Sequence, residues 1–253
     1  MTTMSPARRQ RRAIARKANW LWVDETWATP ATSYPLNRVG DMRIHREAAD
    51  SGLYRYYMLD GHEHYYTTGH HVTSLQEWNP PGPRRASEGP WHTWMVDDPP
   101  HWRAMKGYAQ AARGHVLVAG LGLGLVLWAL ADNPTVESIT VVERSHDVIS
   151  LVAPLLNPYI ASRTPKAPTL RIEQADFTEF VNRVPDTDPG WDTVIVDLWV
   201  AHGLPQVFDI GAREVVPMET MLRAKWPEAR LAFHGYDTMF GDITVPRTAR
   251  TDG

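Results

Sequence analysis

The segment HVLVAGLGLGLVLWAL, residues 115–130, constrains the fold of this chain more than any other stretch. A short apolar run containing Val116 and Val118 gives way at once to Gly120, Gly122 and Gly124, and a second apolar run follows. The first run reads as a strand buried on both faces, and the second as a helix. Glycines between them let the backbone turn sharply and approach a ligand, and the helix start offers unpaired amides.

The pattern continues in alternation. A helix is expected from His101 through HWRAMKGYAQAAR, then the strand HVLVAG, a helix over 122–131 and the strand SITVVE. There follow a helix over 147–156, the strand TLRIE, the short helix FTEFVNR and the strand WDTVIVD. A helix over 213–225 and the strand ARLAFHG complete the series. Continuous β-branched runs such as ITVV and VIV suit parallel strands covered on both faces, and right-handed crossovers would join them in one twisted sheet. The expected class is α/β, a doubly wound and mostly parallel sheet.

Upstream the composition changes. Arg8, Arg9, Arg11, Arg12, Arg16 and Lys17 form a basic arm within residues 1–32, while the whole chain carries a formal charge of −3. Such an arm suits contact with phosphate backbones, although solvated charged termini are common, so nucleic acid is a candidate partner only. Residues 33–90 form a small β-rich module, in which LYRYYMLDGHEHYYTT reads as a hairpin turning at Asp60-Gly61, followed by the Pro-rich linker 79–90. The third unit, 91–253, is the sheet domain. Cysteine is absent, which removes disulfides, zinc-thiolate sites and cysteine nucleophiles together. With no membrane-length apolar run and no apolar signal core, a cytoplasmic location is expected.

The glycine spacing separates ligands. A dinucleotide fingerprint needs a third glycine at position 125, which here is Leu125, so the pattern is G-x-G-x-G and suits a cofactor without phosphates. Glu143 closes the strand SITVVE, where a carboxylate can accept both hydroxyls of a ribose. Asp176, after TLRIEQ, is placed to accept from an adenine amine, and Asp197 ends the fourth strand on the same carboxyl edge.

The motifs VLVAGLGLG, VVE, QADF and WDTVIVD resemble the cofactor-binding motifs of class I S-adenosylmethionine-dependent methyltransferases, whose domain is Rossmann-like. The spermidine synthase-like branch is similar in placing a small β-rich module first, and YMLDGHEHYY resembles its hairpin. Asp197-Leu198-Trp199 after a G-L-G-L-G loop also resembles short methyltransferase-like proteins of bacteriophages. The resemblance covers residues 50–200. It implies S-adenosyl-L-methionine as cofactor, with Gly120, Gly122 and Gly124 on its methionine side, Glu143 on its ribose and Asp176 on its adenine. Asp197 would face its amino group or the acceptor. Aminopropyltransferases carry an Asp within the glycine loop and another after the fourth strand; GLGLG and DLWVAHG lack both, so methyl transfer is the expected chemistry and aminopropyl transfer the alternative. A non-catalytic cofactor- or nucleic-acid-binding protein is the third reading.

Other constellations weigh less. Asp97-Asp98-Pro99-Pro100-His101-Trp102 is similar to the D-P-P-aromatic motif of amino-methyltransferases, but a helix start with prolines in its first turn explains it better. Asp98 stays a candidate to line the pocket, and Trp199 a candidate acceptor contact. His62, His64, His70 and His71 lack a third ligand at clear spacing, and no metal is assigned. Neither a G-x-S-x-G elbow nor a P-loop lysine is present. Methyl transfer needs alignment and at most one base, for which Asp197 and His202 are the candidates. The short region after Asp197 leaves the acceptor pocket to the N-terminal module or to the second subunit of a homodimer. The acceptor itself is not legible.

Overall fold

The computed structural model describes residues 21–23, 29–48, 54–57, 63–66, 71–78, 90–97, 99–162, 167–185, 190–198 and 214–234. Its strands are β1 (Leu21–Val23), β2 (Asn37–Val39), β3 (Met42–Ala48), β4 (Tyr54–Tyr57), β5 (Glu63–Tyr66), β6 (His71–Trp78), β7 (Trp91–Val96), β8 (Gly114–Ala119), β9 (Val136–Glu143), β10 (Thr169–Gln174), β11 (Thr193–Val196) and β12 (Arg230–Phe233). The helices are α1 (Pro99–Ala111), α2 (Leu125–Ala131), α3 (His146–Ala161), α4 (Phe177–Arg183) and α5 (Val216–Lys225).

Strands β8 to β12 form a five-stranded sheet in the order β10-β9-β8-β11-β12. Every pairing in it is parallel. Alternation along the strands sends side chains to two separate cores. Val116, Val118, Ile139 and Val141 pack with α1, α2 and α3, whereas Leu117, Ala119, Val142, Val194 and Val196 pack with α4 and α5. Helices therefore cover both faces, and the architecture is a doubly wound Rossmann-like α/β fold. The strand order reverses between β8 and β11, so the loops after these two strands part at the carboxyl edge and open a crevice there.

The N-terminal module is a four-stranded antiparallel sheet, order β2-β3-β6-β7. Met42, Ile44 and Leu75 point from it into the same core as α1 to α3, with Ala31 and Tyr34 beside them. Burying side chains of this size is worth roughly 1.5–3 kcal/mol each, so the module packs as part of the domain. β7, which follows the Pro-rich stretch, joins this sheet through pairs such as Trp78 with Trp91.

A separate three-stranded sheet contains the expected hairpin, β4 paired antiparallel with β5, and β1 alongside. Tyr57 pairs with Glu63, one position off the register that a two-residue Asp60-Gly61 turn would impose; the turn lies outside the described residues. Leu21–Val23, expected to belong to the basic arm, is the strand that extends this hairpin. α3 also outruns its expected end at Leu156. Pro154 and Pro158 remove backbone donors inside it, yet buried Ile160 and the stacking of Tyr159 on Trp128, 3.7 Å between ring centres, carry it to Ala161. Among the described residues, no helix is long and apolar enough to cross a membrane.

Tyr34 locks the module to the sheet domain. Its hydroxyl donates to the Leu123 carbonyl at 2.9 Å and accepts from Trp128 Nε1 at 2.6 Å. Burial pushes this hydroxyl above its ordinary value, so it remains a donor. Tyr34→Phe orphans both partners and should cost about 1–3 kcal/mol in urea unfolding. A change below about 0.5 kcal/mol would show that the tie contributes little.

Candidate functional site

The loop between β8 and α2 holds all three glycines at positive φ: Gly120 at 90°, Gly122 at 49° and Gly124 at 70°. Side-chain-bearing residues adopt such values rarely. Gly120 has a second reason to lack a side chain, because a Cβ there would lie 2.3 Å from the Asp197 carbonyl oxygen, an immovable backbone atom. At Gly122 a Cβ would meet Met95 Sδ at 2.2 Å. The loop is thus wedged between the start of the β11 crossover and the last strand of the N-terminal sheet.

Its amides are held as firmly. Gly120 N donates to Val142 O at 2.9 Å, and Leu123 N donates to Met95 Sδ at 2.9 Å. Leu121 N donates to Glu143 Oε2 at 2.9 Å, while Ser145 N donates to Oε1 of the same carboxylate at 2.7 Å. Glu143 therefore sits at the end of β9, half-buried, directly against the glycine loop. Each carboxylate oxygen has a second acceptor direction, so Glu143 can take these amides and a vicinal diol together. Leu125, where a dinucleotide fold carries its third glycine, opens α2 with its side chain buried in the core.

Asp176 caps α4, its Oδ1 accepting from Glu179 N at 3.1 Å, and it is exposed beside the end of β10. Ala175 N reaches Glu143 O at 3.1 Å, which brings the Asp176 turn next to Glu143. Asp197 N donates to Ala119 O at 2.9 Å, fixing Asp197 against the glycine loop. Thus Gly120, Gly122, Gly124, Glu143, Asp176 and Asp197 share the carboxyl edge of the sheet. Asp98, Trp199 and His202 lie outside the described residues. So do His62 and His70, and no group of three or more His, Cys, Asp or Glu among the described residues could hold a metal ion.

Asp97 proves structural. It is buried and accepts from Thr29 Oγ1 at 2.6 Å and Thr73 N at 2.7 Å, tying the N-terminal sheet to the start of α1. Burial raises its carboxyl above the ordinary value, with the Thr29 and Thr73 hydrogen bonds opposing.

Beside Asp197 the structure places two residues that the sequence reading did not assign to the site. His101 Nε2, from α1, lies 3.7 Å from Asp197 Oδ2, and the His234 ring lies 4.7 Å from that of His101. His234 follows β12 as Asp197 follows β11, and Val196 pairs with Phe233, so the two emerge side by side. For His234 the signal was in the sequence: like Asp197, it is the first polar residue after an apolar strand. Burial lifts the Asp197 carboxyl, opposed by His234, and burial drives the His101 imidazole well below its usual value.

No protein-family model matches the sequence, and no curated protein matches it. Solved structures give fold likenesses. A spermidine synthase in complex with the transition-state analogue AdoDATO is 16% identical over 65% of this chain and 46% of its own, with a TM-score of 0.38. A dimethyladenosine transferase from Plasmodium falciparum is 17% identical over 54% of this chain and 42% of its own, at 0.36. A Mycobacterium tuberculosis shikimate dehydrogenase is 18% identical over 66% and 50%, at 0.35. The chain spans half or less of the length of each of these structures.

His101 gives the fold a pH dependence. Unfolded, its imidazole titrates near 6.5; folded, it resists protonation. The unfolded chain therefore takes up the extra proton as pH falls below about 6.5, and the stability that His101 provides above that pH is lost. Asp97 and Asp197, raised by burial, act in the opposite sense: their contribution favours folding in acid and fades as pH rises through their folded values. His101→Gln removes the imidazole and keeps both carboxylates in the chain. Between about pH 7.5 and 5 the wild type should lose more urea-midpoint stability than the variant. Parallel profiles would refute a buried neutral His101.

Proposed function

We propose that this protein is an S-adenosyl-L-methionine-dependent methyltransferase acting on a still undefined acceptor. The observation that carries this reading is the Glu143 carboxylate, fixed against the G-x-G-x-G loop at the switch point of the parallel sheet. That is where the two hydroxyls of a ribose fit an acceptor with spare lone pairs. Gly120 and Gly122 would bring backbone close to the methionine portion, and Asp176 keeps acceptor capacity for an exocyclic amine while capping α4. The buried Leu125 side chain stands where a pyrophosphate-binding loop needs glycine, which favours a cofactor without phosphates.

When bound, the cofactor supplies an electrophilic methyl group on a sulfonium. The chain's part is alignment and exclusion of water. Asp197, anchored by its backbone to Ala119, would offer its mostly buried carboxylate to the acceptor side. Aminopropyl transfer is the weaker reading, because the glycine loop carries no carboxylate to hold a polyamine.

Calorimetric titration is the direct test. S-adenosylmethionine and S-adenosylhomocysteine should bind with micromolar Kd, and Glu143→Gln should weaken both by about 10-fold or more, roughly 1.4 kcal/mol. A matched unfolding curve for the variant separates a lost ligand contact from a collapsed loop. Binding of NAD with neither adenosyl-sulfur ligand overturns the proposal.

A further inference from the structure

Four side chains outside the cofactor contacts converge at the carboxyl ends of β11 and β12. Asp197 and His234 leave adjacent strands, with His234 N donating to Val196 O at 2.8 Å. His101 and Tyr108 come from α1, seven residues apart and so on one face of the helix. Tyr108 Oη lies 3.4 Å from His234 Nδ1, with its ring edge-on to the imidazole. Within the group His101 and Tyr108 are buried, the Asp197 side chain is 16% exposed, and His234 is half-buried. His234 is therefore the imidazole of the group that a molecule in the crevice can reach.

Burying a carboxylate and an imidazole costs stability that an apolar pair would not, and the edge in question adjoins the glycine loop through the backbone of Asp197. We propose that His234 is the general base of the transfer and that the acceptor is a protic nitrogen or oxygen nucleophile approaching over the ends of β11 and β12. This rests on the methyl-transfer reading. As the acceptor atom bonds to the methyl carbon, the carbon–sulfur electron pair stays with sulfur and the acceptor's proton passes to His234 Nε2. Tyr108 is a positioning residue: in the tautomer that carries its hydrogen on Nδ1, His234 donates to the Tyr108 oxygen and Nε2 takes the proton. Asp197, a second positioning residue, balances the charge of the imidazolium. His101, kept neutral by burial, fills the space behind Asp197 without adding an opposing positive charge.

The test reads the imidazole itself. Diethyl pyrocarbonate modifies unprotonated imidazole nitrogens, and peptide mass spectrometry of the full-length protein gives a rate for each histidine. At about pH 8.5, above the ordinary imidazole range, so that nucleophilicity and not protonation is compared, His234 should react about fivefold faster than the exposed His115 and His146, and Tyr108→Phe and Asp197→Asn should each erase that excess while leaving the reference histidines unchanged. Tyr108→Phe keeps the test open if Asp197→Asn fails to fold. A His234 no faster than His115, or a rate indifferent to Tyr108→Phe, overturns the assignment. Titration of the same samples with S-adenosylhomocysteine separates the two claims. Binding with an inert His234 removes the base alone, whereas a reactive His234 without binding removes the transfer reading and the role with it.

Discussion

The glycine loop after β8 is gripped from both units, and the rest of the molecule depends on that grip. Leu123 gives its N–H to Met95 Sδ on β7 and its carbonyl to the Tyr34 hydroxyl, while Leu121 gives its N–H to Glu143 on β9. A loop with three positive-φ glycines is intrinsically floppy, and ordering each residue costs on the order of 1–2 kcal/mol. Here the order comes from a carboxylate of the sheet and two side chains of the N-terminal module. The module is therefore a working part of the loop's geometry, since Met95 and Tyr34 supply contacts that the sheet domain alone does not.

The second constraint is electrostatic. The carboxyl edge gathers Glu143, Asp176, Asp197 and His234 at the ends of four successive parallel strands, β9, β10, β11 and β12. Their surroundings set them apart. Glu143 takes one amide on each oxygen and keeps lone pairs suited to hydroxyls, Asp176 is exposed and caps a helix, and Asp197 is mostly buried beside the His101 imidazole. Three carboxylates on one edge thereby acquire three different capacities.

How much of this was legible follows from range in sequence. α4 was readable to the residue, Phe177–Arg183, because its cap at Asp176 and its buried Phe177 and Val181 are local. The strands of the parallel sheet were readable because burial on both faces writes itself as continuous β-branched runs. The pairing of β7 with β6 was not: Trp91–Val96 follows a Pro-rich stretch and carries no mark of which sheet it joins. The hairpin register failed for a related reason, as Asp60-Gly61 signals a turn without fixing its length. The prolines beside His101 mark a helix start and nothing more, and its partners Asp197 and His234 lie far along the chain.

α1 is where these constraints meet. Its start is tied through Asp97 to Thr29 and Thr73 of the N-terminal module. His101, Met105, Tyr108, Ala109 and Ala112 form its buried stripe and continuation, spaced at one helical face. Two of those five, His101 and Tyr108, are polar at the point where the stripe passes Asp197 and His234. A helix needing only to cover the sheet would be apolar there, as it is at Met105. The polar pair therefore reflects a demand from the carboxyl edge, and the module that anchors α1 sets the position from which that demand is met.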